Sequence, residues 1–302
     1  MQLVATIADT RKLTQQARRD GRCIGFVPTM GALHEGHASL IRAARRDTDF
    51  VVVSIFVNPT QFGPNEDYQR YPRTPEADWA LCRQEGVDLV FNPSVEEMYP
   101  AGFCTWVEVT GLQDVLCGRS RPGHFRGVAT VVLKLFNIVQ PDIAYFGQKD
   151  AQQARIIRQL VRDLNLPVEI RVCPIVRAAD GLALSSRNAY LTPQERHRAT
   201  VLYRALQTAQ KLVSQGERDA LLVRQRLVEL ISATPGATLD YAEIVDPETL
   251  RPVTQITQPV LAALAVRIGS TRLIDNMILT PPDAEHQMDG TDQSDMEGGR
   301  DS

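Results

Sequence analysis

The sequence predicts an α/β fold: a Rossmann-like, doubly wound, mostly parallel sheet followed by a smaller C-terminal α+β domain. Apolar runs such as Ile24 to Val27 and Phe50 to Val57 lack alternation, as expected of strands covered on both faces. They alternate with amphipathic helical segments, a pattern typical of parallel β-α-β units. After Tyr190 the chain changes to two amphipathic helical segments followed by three short strand-like runs.

The remaining elements follow from the same periodicities. The predicted helices of the first part span residues 5–20, 38–46, 76–86, 129–139 and 151–164, and its further strands span 87–91, 143–146 and 168–172. Trp106 to Val109 alternates and is predicted to be an edge strand or a hairpin arm. The C-terminal part is predicted to contain helices at 193–213 and 218–231 and strands at 239–245, 260–268 and 273–277.

The most informative stretch connects the run Ile24 to Val27 with the helix at 38–46. Backbone N–H groups at a helix start lack internal partners and the helix dipole is positive there, so phosphate binds well at such a corner. Gly31 and Gly36 would let a nucleotide approach the backbone closely. His34 and His37, three residues apart, could both reach its phosphates.

Two other interpretations of this histidine pair are open at this point. The imidazoles could be solvated surface groups at a helix start, because the spacing alone does not distinguish solvated histidines from phosphate-binding ones. Zinc binding of the metalloprotease type needs histidines four residues apart with a glutamate between them, and His34 and His37 do not have that spacing.

Polar residues also follow the predicted strands at 50–57 and 143–146, where ligands collect in an open parallel sheet. Asn58 and Gln61 follow the first of these strands. After the second, Lys149 would act as a point charge on phosphate oxygens and Asp150 could accept from a ribose hydroxyl. Gln153, one turn into the next helix, is expected to face the same cleft.

Two further segments are rich in phosphate-binding side chains. Ser185, Ser186 and Arg187 supply two hydroxyls and a guanidinium in succession, a combination well suited to phosphate. Residues 119–127 carry four basic side chains between glycines, which would suit either a mobile loop that delivers charge to a triphosphate or a solvated loop.

Composition excludes several classes of protein. The chain has 302 residues, 43% of them hydrophobic, which is enough for a sizeable core. No apolar stretch approaches the roughly 20 residues of a membrane span, and the N-terminus shows no secretory signal, so we expect a cytoplasmic protein. The five cysteines are scattered and no Cys-x-x-Cys pair occurs, so neither a disulfide framework nor a structural zinc site is indicated.

Charge is distributed unevenly along the chain. The net charge is -3, but seven acidic residues and one arginine lie from Pro281 onward, which leaves 32 basic and 29 acidic residues before it. This mild, dispersed excess does not indicate a nucleic-acid surface. The polar segment after Pro281 is predicted to be a disordered acidic tail.

The motifs resemble a known family. His34-Glu35-Gly36-His37 is similar to the His-x-Gly-His signature of the nucleotidyltransferase superfamily. Segments 56–62, 71–74, 121–125, 147–150 and 184–188 then follow in the order and spacing of the pantoate–β-alanine ligase (pantothenate synthetase) family. The resemblance covers about residues 1 to 280.

The resemblance implies an activity. Such a ligase condenses pantoate with β-alanine in two steps: the pantoate carboxylate attacks the α-phosphorus of ATP, and the β-alanine amine then attacks the acyl carbon of the pantoyl-adenylate and releases AMP. It implies ATP as substrate, Mg²⁺ on the phosphates, and a homodimer without a nucleic-acid or membrane partner. It also implies a nucleotide- and pantoate-binding domain at 1–175, a smaller domain at 176–280 that closes on the ATP site, and the tail at 281–302.

The resemblance also assigns roles to single positions. It gives catalytic roles to His34, His37, Lys149, Ser185 and Arg187 and pantoate or β-alanine binding to Gln61 and Gln153. The implied ATP-binding residues are Met30, Gly31, Ala32, Leu33, His34, Glu35, Gly36, His37, Gly147, Gln148, Lys149, Asp150, Val176, Leu184, Ser185, Ser186 and Arg187.

Some features depart from the family pattern or stay unassigned. Gln148 stands where the family usually has glutamate, which removes a charge, and the Leu184 to Asn188 segment lacks the lysines of the related Lys-Met-Ser-Lys-Ser loop. Asp78 matches a position near the metal in some members, but as a lone acid on a predicted helix it is more simply interpreted as a surface group. The sequence identifies neither the metal ligands nor the base that deprotonates β-alanine.

Three rival functions compete with this activity. A nucleotidylyltransferase acting on another cofactor precursor would keep the adenylate as product, but the two glutamines and the lack of a second phosphate-binding basic cluster argue against it. A non-catalytic nucleotide-sensing module is disfavoured because every donor position is intact. An aminoacyl-tRNA synthetase would need a basic anticodon-binding domain, which does not follow the smaller domain.

Overall fold

A parallel sheet forms the centre of the first part of the chain. The computed structural model describes residues 1–64 and 66–282. Within these residues, the strands of this sheet are β1 (Gln2–Val4), β2 (Ile24–Thr29), β3 (Phe50–Ile55), β4 (Leu89–Phe91), β5 (Ile143–Gly147) and β6 (Glu169–Cys173). They lie in the order β1-β4-β3-β2-β5-β6, and every neighbouring pair is parallel. The predicted doubly wound α/β class is therefore confirmed.

Helices connect these strands. They are α1 (Ile7–Arg19), α2 (Glu35–Asp47), α3 (Pro75–Gln84), α4 (Val95–Met98), α5 (Cys117–Ser120), α6 (His124–Val139) and α7 (Ala151–Asp163). α1 begins where the Thr6 side chain accepts from the Asp9 N–H. Leu40 and Ile41 of α2 pack with Val27 and Val51 of the sheet in one buried cluster, which fixes α2 against the strand that precedes it.

The strand order defines where a ligand should bind. From β2 the chain winds outward in one direction through β3 and β4, and it then returns to place β5 on the other side of β2. In open parallel sheets the ligand crevice lies at such a switch point, outside the carboxyl ends of the strands. The corners after β2 and β5 therefore lie side by side.

The second unit is an α+β domain. Its described part contains α8 (Pro193–Ala199), α9 (Val201–Ser214), α10 (Ala220–Ser232) and the antiparallel sheet β7 (Ala237–Val245), β8 (Val260–Ile268) and β9 (Thr271–Leu279). α10 packs on β7 and α9 on β9. The predicted helix at 193–213 is thus two helices. The predicted acidic tail, 281–302, lies outside the described residues apart from Pro281 and Pro282.

The boundary between the two units differs from the predicted one. Backbone contacts divide the chain between Thr192 and Pro193 rather than between 175 and 176. The segment before Thr192 is anchored to the first unit because Ser186 donates to the Ala32 carbonyl and Tyr190 to the Arg70 carbonyl. The phosphate-binding segment at 184–188 therefore belongs to the sheet-containing unit.

The predicted edge strand at Trp106 to Val109 is wrong. These residues form no strand; the Val107 N–H donates to the Thr130 hydroxyl and the Val109 N–H to the Gln113 side chain. These two N–H groups bond to side chains rather than to a partner strand, so the alternation does not lead to a strand here.

Candidate active site

A cleft opens at the carboxyl ends of β2 and β5, where the sheet topology predicts one. Its cavity volume is about 220 Å³. Both corners and the serine-arginine segment line it, and among its lining residues are the predicted catalytic residues His34, His37, Lys149, Ser185 and Arg187. The separate sequence segments therefore converge on one cavity within the first unit.

The two histidines of the first corner cap α2. His34 is the residue before the helix, and its Nδ1 accepts from the Gly36 N–H at 3.1 Å. The Nδ1 of His37 accepts from the His34 N–H at 3.2 Å, so the imidazoles form a reciprocal capping box. Their ring centroids lie 4.1 Å apart.

This capping fixes the protonation of both rings. Because each Nδ1 accepts a backbone hydrogen, the proton of the neutral imidazole must sit on Nε2. Burial, together with the charge of Lys149, lowers the pKa of His34 to about 4. Burial, followed by the effects of His34 and Lys149, lowers the pKa of His37 to about 3. Both histidines are therefore neutral hydrogen-bond donors at neutral pH, and neither has a spare lone pair to act as a base.

The glycine of the motif is required by this arrangement. A Cβ at Gly36 would lie 2.8 Å from Cε1 and 2.9 Å from Nδ1 of His34. A side chain there would displace the imidazole that caps the helix. The His-x-Gly-His spacing is thus explained by the space that the first ring occupies.

Asp78 clamps the turn between β2 and α2. Gly31 and Ala32 both have positive φ angles, 79° and 49°, a conformation that costs energy for alanine. The Asp78 carboxylate accepts from the N–H groups of Ala32 at 2.9 Å and Leu33 at 2.8 Å. Asp78 is 2% exposed, so the interpretation as a surface acid is wrong: its carboxylate is buried and bound to the backbone of the turn.

The second corner brings a cation towards the first. Gly147, Lys149, Asp150 and Gln153 all line the cleft, and the Lys149 ammonium lies 3.8 Å from the Asp150 carboxylate. His34 and Lys149 line the same cavity, so the two corners are close together, and the ammonium helps to lower the pKa of His34.

The serine-arginine segment forms a short 3-10 turn. The Ser185 hydroxyl caps it by accepting from the Arg187 N–H. Nε and Nη2 of Arg187 bind the two carboxylate oxygens of Asp67, both at 2.9 Å, and the guanidinium lies over the Tyr71 ring. Burial, the largest single effect, would lower the pKa of Arg187, but the hydrogen bonds and charge of Asp67, together with the nearby Tyr71 and Asp150, outweigh burial and raise the pKa.

Gln61 is buried, and a hydrogen bond from Asn58 orients its side-chain amide. Asn58 is 1% exposed and its Nδ2 donates to the Gln61 Oε1 at 3.0 Å. The Gln61 Nε2 approaches the Met30 sulfur at 3.1 Å. Gln61 and Gln153 line the same cleft, as predicted.

Two basic residues of the 119–127 segment also line the cleft, although the sequence analysis named only the segment and did not single out either residue. Arg121 binds Glu66 through two hydrogen bonds of 2.6 Å, and His124 donates from Nδ1 to the Gln61 carbonyl at 2.8 Å. Burial, then Arg121, lowers the pKa of His124 to about 3. The Arg-Pro-Gly-His spacing, which is part of the family resemblance, is the signal that could have found them. Part of the segment is helical, in α5 and α6, and Arg121 and Arg126 form ion pairs with Glu66 and Glu108.

The remaining predicted site residues divide into two groups. The predicted residues Met30, Gly36, Val176, Leu184 and Ser186 line the cleft as well. Gly31, Ala32, Leu33, Glu35 and Gln148 are not among its lining residues. Glu35 instead binds Arg42 on the outer side of α2, at 2.6 and 2.9 Å.

Comparison with known proteins identifies the family. The model of the pantoate-beta-alanine ligase family matches residues 2–278. Pantothenate synthetases of Thermotoga neapolitana and Moorella thermoacetica are 59% and 60% identical over 279 residues, which are 92% of this chain and 100% and 99% of theirs.

Solved structures of proteins with the same names also match this chain over most of its length. The crystal structure of pantothenate synthetase from Thermus thermophilus has a TM-score of 0.89 and 50% identity, and covers 93% of this chain and 100% of that one. The pantoate-beta-alanine ligase of Francisella tularensis, solved with beta-gamma ATP and beta-alanine, has a TM-score of 0.76 and 38% identity, over 92% of this chain and 97% of that one. The chain has the activity of a ligase that joins pantoate to β-alanine with ATP as substrate. It belongs to the pantoate-beta-alanine ligase family.

Proposed function

We propose that the single cleft at the carboxyl ends of β2 and β5 carries out both steps of this ligation. The pantoate carboxylate attacks the α-phosphorus of ATP and pyrophosphate leaves; the β-alanine amine then attacks the acyl carbon and AMP leaves. The observation that carries the proposal is the convergence of His37, Lys149 and Arg187 on one cavity that also contains Gln61 and Gln153.

The triphosphate is assigned to the donor-rich side of the cleft. His34 and His37 offer Nε2–H groups, Lys149 offers a charge, and Ser185, Ser186 and Arg187 line the same cavity. Adenylation brings a carboxylate anion against a phosphate anion, so donors fixed in advance lower the barrier by alignment and charge stabilisation. We also assign the backbone of Val176 to the adenine.

Pantoate is assigned to the side of the cleft that combines amides with an apolar wall. Gln61 and Gln153 can bind its hydroxyls and carboxylate, because an amide both donates and accepts without neutralising the nucleophile. The wall consists of apolar residues of α6, namely Val128, Val131, Val132 and Leu135. Such a surface suits the two methyl groups that pantoate carries on one carbon.

Mg²⁺ would reach the cleft with ATP. The described residues contain no group of three or more His, Cys, Asp or Glu side chains placed to hold a metal ion. The phosphate oxygens and water would therefore be its main ligands, as is usual for this ion. The metal would neutralise charge on the phosphates, while His34, His37 and Lys149 orient them.

The first experiment tests the reaction. The chain is incubated with ATP, pantoate and β-alanine, and the products are identified by mass spectrometry. Pantothenate, AMP and pyrophosphate in equal amounts are expected. A stable nucleotidyl product that persists when β-alanine is present would instead support the nucleotidylyltransferase alternative.

The second experiment tests the pantoate site. Gln61→Ala and Gln153→Ala should raise the KM for pantoate by about tenfold or more, because each removes hydrogen bonds to the substrate. Gln159→Ala is the matched control: it lies on the same helix as Gln153 but bonds to Arg155, Arg162 and Asp163. An unchanged KM in both cleft variants would refute this placement.

A homodimer and a cytoplasmic location are also part of the proposal. The segment at 103–109 forms no strand, and its Trp106 is 42% exposed, which would suit burial against a second copy. Light scattering after size exclusion should give twice the mass of one chain, and Trp106→Glu should reduce it to one. The cytoplasm supplies the ATP that the reaction consumes.

A further inference from the structure

The orientation of the Gln61 amide decides which group it offers to a ligand. One end of an amide donates and the other accepts, and the two ends have nearly the same shape. In the structure the Oε1 of Gln61 accepts from Asn58, which leaves Nε2 on the side of Met30 and the cleft. A rotation that exchanged the two ends would present an acceptor where a donor now lies.

Two backbone groups fix the amide that controls Gln61. The Asn58 Nδ2 donates to the Gly127 carbonyl at 3.2 Å, and its Oδ1 accepts from the Thr60 N–H at 3.3 Å. A carbonyl only accepts and an N–H only donates, so the orientation of Asn58 is unambiguous. Gly127 must be glycine for this contact, since a Cβ there would lie 2.4 Å from the Thr60 oxygen.

Tyr99 completes this arrangement from outside the cleft. Its hydroxyl donates to the Asn58 Oδ1 at 2.9 Å, beside the Thr60 hydroxyl, which donates to the same atom at 2.9 Å. Burial raises the pKa of Tyr99, so the hydroxyl keeps its proton. The Tyr99 ring packs against Phe56 and Phe103, which holds the hydroxyl in place.

We infer that Tyr99 is a positioning residue for pantoate: through Asn58 it holds the Gln61 amide with Nε2–H directed at the substrate. Tyr99 is not among the residues that line the cleft; its hydroxyl acts through Asn58, whereas its ring also packs on the cleft residue Phe56, a contact that Tyr99→Phe retains. The inference rests on the proposed assignment of pantoate to Gln61.

The test is Tyr99→Phe, which removes the hydroxyl and keeps the packed ring. The KM for pantoate should rise by about three- to tenfold, the effect of one lost neutral hydrogen bond transmitted to a substrate contact, while the KM for ATP stays unchanged. Thr60→Val removes the second hydroxyl donor, and the double variant should show a larger rise than either single one. Tyr203→Phe, in the second unit, is the matched control and should change neither constant.

A second measurement does not depend on the substrate. In protein labelled with ¹⁵N-glutamine, the side-chain NH₂ signals of Gln61, assigned with Gln61→Ala, should move in Tyr99→Phe and stay in place in Tyr203→Phe. Unmoved signals, or an unchanged pantoate KM in an active variant, would overturn the inference. Failure of the wild-type chain to form pantothenate would overturn the proposed function instead, and the amide signals would still decide the role of Tyr99.

Discussion

His37 performs two tasks through its two ring nitrogens, and two substitutions can separate them. Nδ1 accepts the His34 N–H in the capping box, and Nε2–H faces the cleft. Asparagine places its Oδ1 where Nδ1 lies, so His37→Asn keeps the cap and removes the donor. Glutamine places its Nε2 where the imidazole Nε2 lies, so His37→Gln keeps a donor and removes the cap.

The expected sizes follow from these tasks. Loss of one preorganised transition-state donor slows a reaction by about 10²–10³, so His37→Asn should slow adenylation by that factor. Loss of a helix cap costs about 1 kcal/mol, so His37→Gln should lower the free energy of unfolding by that amount and retain more activity. His37→Ala loses both and should show both effects.

Adenylation is measured as pyrophosphate release in a single turnover with ATP and pantoate, and stability by urea unfolding. A His37→Asn variant with near-normal pyrophosphate release would remove His37 from the chemistry. A His37→Asn variant that is as unstable as His37→Ala would refute the capping role of Nδ1.

Two further predictions concern stability. Asp78→Asn turns an NH₂ group towards one of the two backbone N–H donors of Ala32 and Leu33, so the free energy of unfolding should fall by about 2–3 kcal/mol; unchanged stability with a higher Mg²⁺ requirement would show a metal ligand instead. Burial lowers the pKa of His34, His37 and His124 to about 4, 3 and 3, below the value of about 6.5 in the unfolded chain. As pH falls below about 6.5 the unfolded chain binds protons that the folded chain does not, so stability should fall, by up to about 1.4 kcal/mol per pH unit for each histidine. Urea unfolding at pH 7 and pH 5 measures this, and equal stability at both values would contradict the neutral, buried state.

The sequence predicted most of the sheet because its strands carry a local signal. The run Phe50 to Val57 is apolar and β-branched, and β3 (Phe50–Ile55) is buried at every position. The corner at residues 28–37 was also predicted, because glycines and a helix start are local features. The periodicity could not show which strands are neighbours in the sheet, or which residues lie beside each strand end, because both depend on the whole topology.

The predictions differ from the structure where a residue's environment depends on contacts with residues far away in the sequence. Trp106 to Val109 alternates like a strand, but its backbone groups bond to the side chains of Thr130 and Gln113. Asp78 resembles any surface acid of a helix until the Ala32 turn, 46 residues earlier, is placed against it. The predicted domain boundary differs from the division of backbone contacts after Thr192 because Ser186 reaches back to the Ala32 carbonyl, a contact with no counterpart in local composition.

The central claim is that the pantoate carboxylate and the α-phosphate of ATP meet in the one cleft that His37, Lys149 and Arg187 share. Pantoate labelled with ¹⁸O in its carboxylate tests it, with ATP and β-alanine present and AMP analysed by mass spectrometry. If the carboxylate attacks the α-phosphorus, each AMP carries one ¹⁸O atom. Unlabelled AMP, or ADP formed together with labelled inorganic phosphate, would contradict the account.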